Sequence, residues 1–380
     1  MKKLFAIVFA FILLFIGCKN EGSKKTETLS ADLTLDKVEI KYAKGFTIQQ
    51  TNDFKIITLK HAWKGESTQK QYVLYKDKKP SGFPNAQFVK IPIQSIACMS
   101  LTHIAFLDKL GLNESIVAIS GCNYVSNEEI IKQINNQQIA EIGQHQQINY
   151  EMLIEKQPDI VMAYGIDESS KKHLNKFKEL ELTVVLNAEY MEKHPLGQAE
   201  WLKFVGAFYD EDEKANELFS DIETQYHQLI QLTDTLQHHP TVFVGMPWNG
   251  VWYLAGGKSF QAQLLKDAGA HYLWKDNQEF SNFPVDKEVI IDKAMNADYW
   301  INLNTYSSID QVVAYDSKFK EFKAVKNKTL YNNNKRTNQN AGNDYWESGI
   351  VNPHVVLKDL IEIFHPQLTV HDLYYYDNLD

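Results

Sequence analysis

The first residues of this sequence whose types suggest chemistry are aromatic rings placed in turns. Pro247-Trp248-Asn249-Gly250-Val251-Trp252-Tyr253 and Asp344-Tyr345-Trp346-Glu347-Ser348-Gly349 each crowd rings around Gly, Asn and Asp. Rings in such places are hard to bury fully. They offer broad apolar contact with a polar tip, which suits a bulky chelate or macrocycle. Tyr124 and Tyr164 follow strand-like segments and join them, beside Met99, Ser100, His145, Asn249 and Tyr306. Arg336 is the only arginine among 39 cationic residues. Its planar fork can grip anionic oxygens bidentately, as lysine cannot. The expected ligand-binding set is therefore Tyr124, Tyr164, Trp248, Trp252, Tyr253, Arg336, Tyr345 and Trp346. Core packing is the competing explanation for any single ring, and a solvated loop cation for Arg336.

Signals for catalysis are missing. There is no G-x-S-x-G, no H-E-x-x-H and no paired-cysteine zinc pattern, and the twelve histidines are scattered. An exported hydrolase would need a nucleophile and base that the sequence does not offer. A purely structural or adhesive role would leave the aromatic turns without a use. His145 and Tyr164 are of types that can ligate haem iron, although a lone loop histidine more often only forms hydrogen bonds. The Asp210–Glu213 run lacks the alternation of a calcium loop and reads as a helix start. Cys98 and Cys122 each close a short apolar run, so they could sit at the ends of neighbouring strands. A disulfide and two free buried thiols are both open.

The chain has 380 residues with 48 acidic against 39 basic, a net charge of −9. That balance argues against nucleic acid as the main partner, and the length suits two domains. Lys2 and Lys3 precede an uninterrupted apolar run, Leu4–Ile16. A spanning helix needs about 20 residues, so this run reads as the core of a secretory signal. It ends in Phe15-Ile16-Gly17-Cys18, which resembles a bacterial lipoprotein box with Phe where Leu is preferred. The expectation is removal of residues 1–17, acylation of Cys18 and anchoring to a lipid bilayer, inner or outer. The polar stretch 18–36 reads as a flexible tether.

The elements that must position the candidate residues follow from periodicity. Alternation at Val38–Tyr42, Phe54–Ile57 and Tyr72–Tyr75 makes residues 37–90 a small β extension. Short apolar runs then alternate with helical stretches. Strands are expected at Ile93–Cys98, Ile116–Ser120, Ile160–Ala163, Thr183–Leu186, Thr241–Val244, Val251–Leu254, Tyr299–Leu303 and Lys328–Tyr331. Helices are expected at Leu101–Leu110, Tyr150–Lys156, Ser259–Ala268, Lys287–Ala294 and Pro353–Phe364. Such alternation implies parallel sheets of βαβ units, with ligands beyond the carboxyl ends of the strands. Residues 211–236 carry one continuous helical stripe through Leu218, Phe219, Ile222, Tyr226, Leu229 and Ile230. The organisation is an N-terminal α/β lobe at 91–210, a connecting helix at 211–238 and a C-terminal α/β lobe at 239–368.

Asn149-Tyr150-Glu151-Met152-Leu153-Ile154-Glu155-Lys156 and Asp286-Lys287-Glu288-Val289-Ile290-Ile291-Asp292-Lys293 are an internal repeat, each leading into an Asp and an apolar strand. Glu151 and Glu288 fall in equivalent first helical turns, where a carboxylate is favourable against the helix dipole. With Gln157-Pro158-Asp159-Ile160-Val161, Ala268-Gly269 and a last helix closing at His365-Pro366, these residues carry a resemblance over about 90–366. The chain resembles the bacterial ABC-transporter substrate-binding proteins of the siderophore, haem and cobalamin group. The resemblance implies two Rossmann-like α/β lobes joined by one long rigid helix in the periplasm. It implies no enzymatic activity and no covalent cofactor. The ligand it implies is a ferric siderophore or other metal chelate in the cleft, with cobalamin or haem as rivals. It further implies that Glu151 and Glu288 dock on arginines of a membrane permease, which an ATPase drives. The β extension departs from the minimal pattern of that family.

Overall fold

The computed structural model describes residues 35–63, 69–144, 147–165 and 168–380. The expected signal segment, Cys18, most of the tether and His145 lie outside the described residues. Residues 34–380 form one unit. It opens with β1 (Asp36–Lys37), β2 (Phe46–Gln50), β3 (Phe54–Leu59), β4 (Lys70–Tyr75) and β5 (Gln87–Lys90), paired in sequence order as one sheet.

The first lobe follows as β6 (Ile96–Cys98), α1 (Leu101–Leu110), β7 (Ile116–Ile119), α2 (Glu128–Asn135), β8 (Ala140–Glu141), α3 (Tyr150–Lys156), β9 (Ile160–Ala163), α4 (Glu168–Glu179) and β10 (Val184–Leu186). Its sheet runs β10-β9-β6-β7-β8, parallel throughout. The Ser100 side chain caps α1, and Gly111 ends it in the left-handed region at φ 68°, where a residue without Cβ is at ease.

Three helices leave this lobe: α5 (Pro195–Ala199), α6 (Trp201–Tyr209) and α7 (Asp212–Thr233). Every residue of α6 is buried. The N-terminal sheet supplies part of its cover. Phe46 packs edge-on against Trp201 and Phe204, and Tyr72 against Phe204 and Phe208. A helix buried on all sides needs such a cover, which gives the β extension its place. The expected strand Val38–Tyr42 is irregular instead. The amides of Lys41, Tyr42 and Ala43 donate to the Glu200 carboxylate, and those of Lys44 and Gly45 to Glu192. Backbone groups satisfied by a carboxylate need no strand partner. The 22 residues of α7 span about 33 Å. Phe219, Ile222 and Tyr226 on its expected stripe are buried.

The second lobe comprises β11 (Thr241–Val244), β12 (Trp252–Leu254), α8 (Phe260–Asp267), β13 (His271–Tyr272), β14 (Phe283–Val285), α9 (Lys287–Ala294), β15 (Tyr299–Ile301), α10 (Ile309–Tyr315), α11 (Lys323–Asn327), β16 (Leu330–Asn332), α12 (Asp344–Glu347), α13 (Pro353–Phe364) and β17 (Asp377–Asn378). Its sheet runs β13-β11-β15-β16-β17, parallel except at β17. The strand expected at Val251–Leu254 exists as β12, but it pairs antiparallel with β14 outside that sheet. The chain end is strapped down by buried Asp359, which accepts from the amides of Tyr374, Tyr375 and Tyr376 and pairs with His371.

The internal repeat has a structural cause. Asp159 precedes β9 and accepts from the Gln94 and Ser95 amides ahead of β6. Asp298 precedes β15 and accepts from the amide and hydroxyl of Thr241 at the start of β11. In each lobe the Asp after the repeated helix fastens its strand to the first strand of the sheet.

Candidate functional site

Asn249 and Gly250 both have positive φ, 49° and 81°. Trp248 and Val251 close this two-residue turn through both backbone bonds, at 2.7 and 3.0 Å. An Asn-Gly pair is the composition such a turn requires. From it the side chains alternate: Tyr253 is exposed, while Trp252 and Leu254 are fully buried. Trp248 is 68% exposed.

Trp248 and Tyr253 rim a groove of about 460 Å³ at the C-terminal ends of β11, β15 and β16, with Trp346 on its other side. Carboxamides line much of the wall, among them Gln261, Asn302, Asn304, Asn333 and Asn343. Asn302 and Asn304 are left-handed, at φ 58° and 55°, which asparagine tolerates better than most residues. Their loop is stiffened by hydrogen bonds. Asn304 donates to the Met246 carbonyl, and Asn332 donates to those of Asn304 and Tyr306. No lysine, arginine or carboxylate is among the described residues lining this groove.

A second compartment, of about 150 Å³, shares Trp346 and lies where the lobes meet. Its walls are mostly apolar, with Tyr190 from the first lobe and Phe260, Tyr345 and Ile350 from the second. Polar side chains from the first half of the chain also line it, namely Thr102, Glu189 and Gln198. Burial pushes the Glu189 carboxyl above the ordinary range, against the pull of the Thr102 hydroxyl and nearby amides.

One seam closes the lobes together. Asn338 donates to the carbonyls of Asn123 and Val125. A Cβ on Gly342 would stand 2.1 Å from the Tyr124 carbonyl oxygen, so only glycine admits this approach. Glu347, 2% exposed, accepts from the Ser126 and Asn127 amides at 2.7 and 3.0 Å. Burial raises its pKa to about 7, although the amides favour the charged form.

The expected ligand residues divide. Trp248, Tyr253 and Trp346 come together in the cleft. Tyr345 is 6% exposed and lies under Trp346 as a wall of the smaller compartment. Trp252 is a correction. Its ring is stacked on Trp300 and tilted against Phe243, and its Nε1 donates to the Val244 carbonyl. It belongs to the core because strand alternation turns it away from Tyr253. Arg336 is a second correction, since Asp344 holds its Nε at 2.6 Å and Tyr374 lies beneath its guanidinium at 4.3 Å. It lines neither compartment. Tyr124 is exposed beside the seam, and half-buried Tyr164 lies edge-on to the fully buried His103; neither lines a compartment. Cys98 and Cys122 form no disulfide: both are free, buried thiols whose burial raises their pKa. Among the described residues no group of three or more His, Cys, Asp or Glu could hold a metal ion. Glu189, Tyr190 and the asparagine wall escaped the sequence reading. A Glu-Tyr pair separated by two residues from the end of a strand was the available signal for the first two.

A model of the periplasmic binding proteins matches residues 96–337, and the chain belongs to that family. This is a family of transporter-linked binding proteins rather than enzymes. An uncharacterised lipoprotein of Methanocaldococcus jannaschii is 26% identical over 293 residues, covering 74% of this chain and 68% of its own. The fold is similar to that of a periplasmic haem-binding protein from Pseudomonas aeruginosa (TM-score 0.59, 13% identity, 76% of this chain and 98% of that one). It is also similar to that of an ABC-type Fe3+-hydroxamate transport system protein from Saccharomonospora viridis (TM-score 0.57, 16% identity, 81% and 98%). Both likenesses extend the two-lobed α/β fold to the whole of those proteins.

Proposed function

We propose that this protein is the capture component of an ABC importer. Anchored to a membrane through acylated Cys18, it holds a metal chelate of the ferric-siderophore kind between its lobes and passes it to a permease driven by an ATPase. The observation that carries this reading is the groove rimmed by Trp248, Tyr253 and Trp346 and walled with carboxamides. Rings give a bulky chelate apolar contact, and carboxamides offer donors and acceptors without net charge. With Arg336 held by Asp344, the described groove lining favours a chelate whose metal-binding core is uncharged over a polyanionic one. Support for the anchor comes from the apolar run ending at Cys18 and from the lipoprotein name of the archaeal relative. No described helix is long and apolar enough to cross a membrane.

Glu151 and Glu288 support a docking role. Both are exposed in the first turns of α3 and α9, and neither lines the cleft. In cells that depend on this protein for a ferric chelate, Glu151→Lys with Glu288→Lys should stop uptake of the labelled chelate. The purified variant should bind it normally, because only permease contacts are reversed. Normal uptake would remove the docking role. Binding of cobalamin or haemin but of no siderophore complex would replace the ligand class.

A further inference from the structure

The smaller compartment poses a problem that the groove does not. Glu189 is 3% exposed. Its Oε1 accepts from the Thr102 hydroxyl at 2.7 Å, and among the described residues its Oε2 has no partner in hydrogen-bonding geometry, the Glu189 and Tyr190 amides beside it only drawing on its charge. A carboxyl is not needed there to shape the loop, because Asn187 already caps the Glu189 amide at 3.1 Å. Among the residues lining the compartment there is no lysine, arginine or histidine to balance it. Buried polar groups are as a rule paired, and buried charges more strictly so. Among the described residues, then, no side chain supplies a counter-charge, and a ligand can.

The walls indicate what that partner is. Tyr190, Phe260, Tyr345 and Trp346 supply rings around the same space. Rings attract a cation through their faces, and a carboxylate supplies its counter-charge. A neutral hydroxyl would satisfy only the donor requirement and gain nothing from the rings, while an anion would be repelled. Thr102 is committed to Glu189 and does not compete for the incoming donor. Trp346 also lines the large groove, so one ligand can lie in the groove and reach into the compartment beneath.

We propose that the compartment under Trp346 is a subsite for a cationic nitrogen, an ammonium or guanidinium on one arm of the transported ligand, held by Glu189 inside a partial aromatic cage. The proposal deepens the cleft-binding reading and rests on it for the identity of the ligand that carries the arm. It is tested without that ligand. n-Butylammonium, n-butanol and n-butyrate are titrated into the protein by calorimetry and by thermal shift. Butylammonium should bind saturably and at least tenfold more tightly than butanol, and butyrate should not bind. Glu189→Gln keeps the size and the Thr102 bond, and should erase the tenfold preference while leaving butanol binding intact. Thr102→Val, which keeps the carboxylate, should retain the preference, so the test survives if the Gln variant fails to fold. Equal binding of ammonium and alcohol by the wild type, or an undiminished preference in Glu189→Gln, would overturn the subsite. Because none of these probes is a chelate, failure of the ammonium leaves the chelate reading standing, and failure of every chelate leaves the subsite standing.

Discussion

In the first lobe, the ends of β6 and β10 lead into a helix start at Ser100 and into the Asn187–Tyr190 turn. In the second, the ends of β11, β15 and β16 lead into an Asn-Gly turn, two left-handed asparagines and a third asparagine in the groove wall. Beneath these loops the frames match. A helix with a first-turn Glu, then an Asp that fastens the next strand to the first, occurs once in each lobe. The difference lies in the insertions. The first lobe's extra sheet sits on α6, whereas the second lobe's β12–β14 ribbon contributes Tyr253 and the adjoining Asn282 to the groove wall. A duplicated frame thus serves as scaffold on both sides, and the larger groove is lined by the lobe whose loops carry the asparagines and tryptophans.

The sharpest way to break that division is inside one strand. Trp252→Ala should cost about 3–5 kcal/mol of stability, as for a fully buried large aromatic, and Tyr253→Ala less than about 1 kcal/mol, by urea unfolding. A stable Trp252→Ala protein that loses its ligand would place the wrong ring in the cleft. Next in size is Trp346, which lines both compartments. Trp346→Ala should weaken chelate binding by about 2–3 kcal/mol, against about 1 kcal/mol for Trp248→Ala. Equal losses would mean that the compartments act separately.

The matched frames are tested by Asp159→Ala and Asp298→Ala. Each leaves backbone donors without their acceptor and should destabilise by about 1–3 kcal/mol. The Asp298 change should be the larger because Lys323 also pairs with it. An effect in one lobe alone would show that the repeat is a likeness of sequence only.

The seam gives a pH effect. The Glu347 pKa is raised from 4.5 to about 7 in the fold. Between these values the folded chain holds a proton that the unfolded chain has lost, so this group's contribution to stability falls as pH rises through that window. Glu347→Gln imitates the protonated acid. Relative to the wild type it should gain about 1–3 kcal/mol between pH 5 and pH 8, measured as the difference between two urea midpoints at each pH. A gap that stays constant with pH would put the proton elsewhere.

Much of the frame was legible because local rules and tertiary packing agree there. The α1, α3, α9 and α13 spans, together with β9 and β11, lie where periodicity and caps put them. The first extension strand was misread because its alternation is real but its amides are claimed by Glu192 and Glu200, some 150 residues away in sequence. In the groove lining, turn composition pointed to Trp248, Tyr253 and Trp346. It also gathered Trp252, although the alternation that exposes Tyr253 turns its neighbour inward. Arg336 was singled out by rarity, which carries no information about its partner. Glu189 gave only a faint signal, since a lone acid after a strand looks like any loop residue until burial shows that its Oε2 has no partner among the described residues.

The central claim is that a metal chelate with an uncharged metal-binding core binds in the groove rimmed by Trp346. The direct measurement is tryptophan fluorescence during titration with the gallium(III) complex of a neutral trihydroxamate, on the wild type and on Trp346→Ala. Saturable one-to-one quenching in the wild type, weakened at least tenfold in the variant, is the predicted result. No quenching in the wild type, or identical curves for the two proteins, would contradict it.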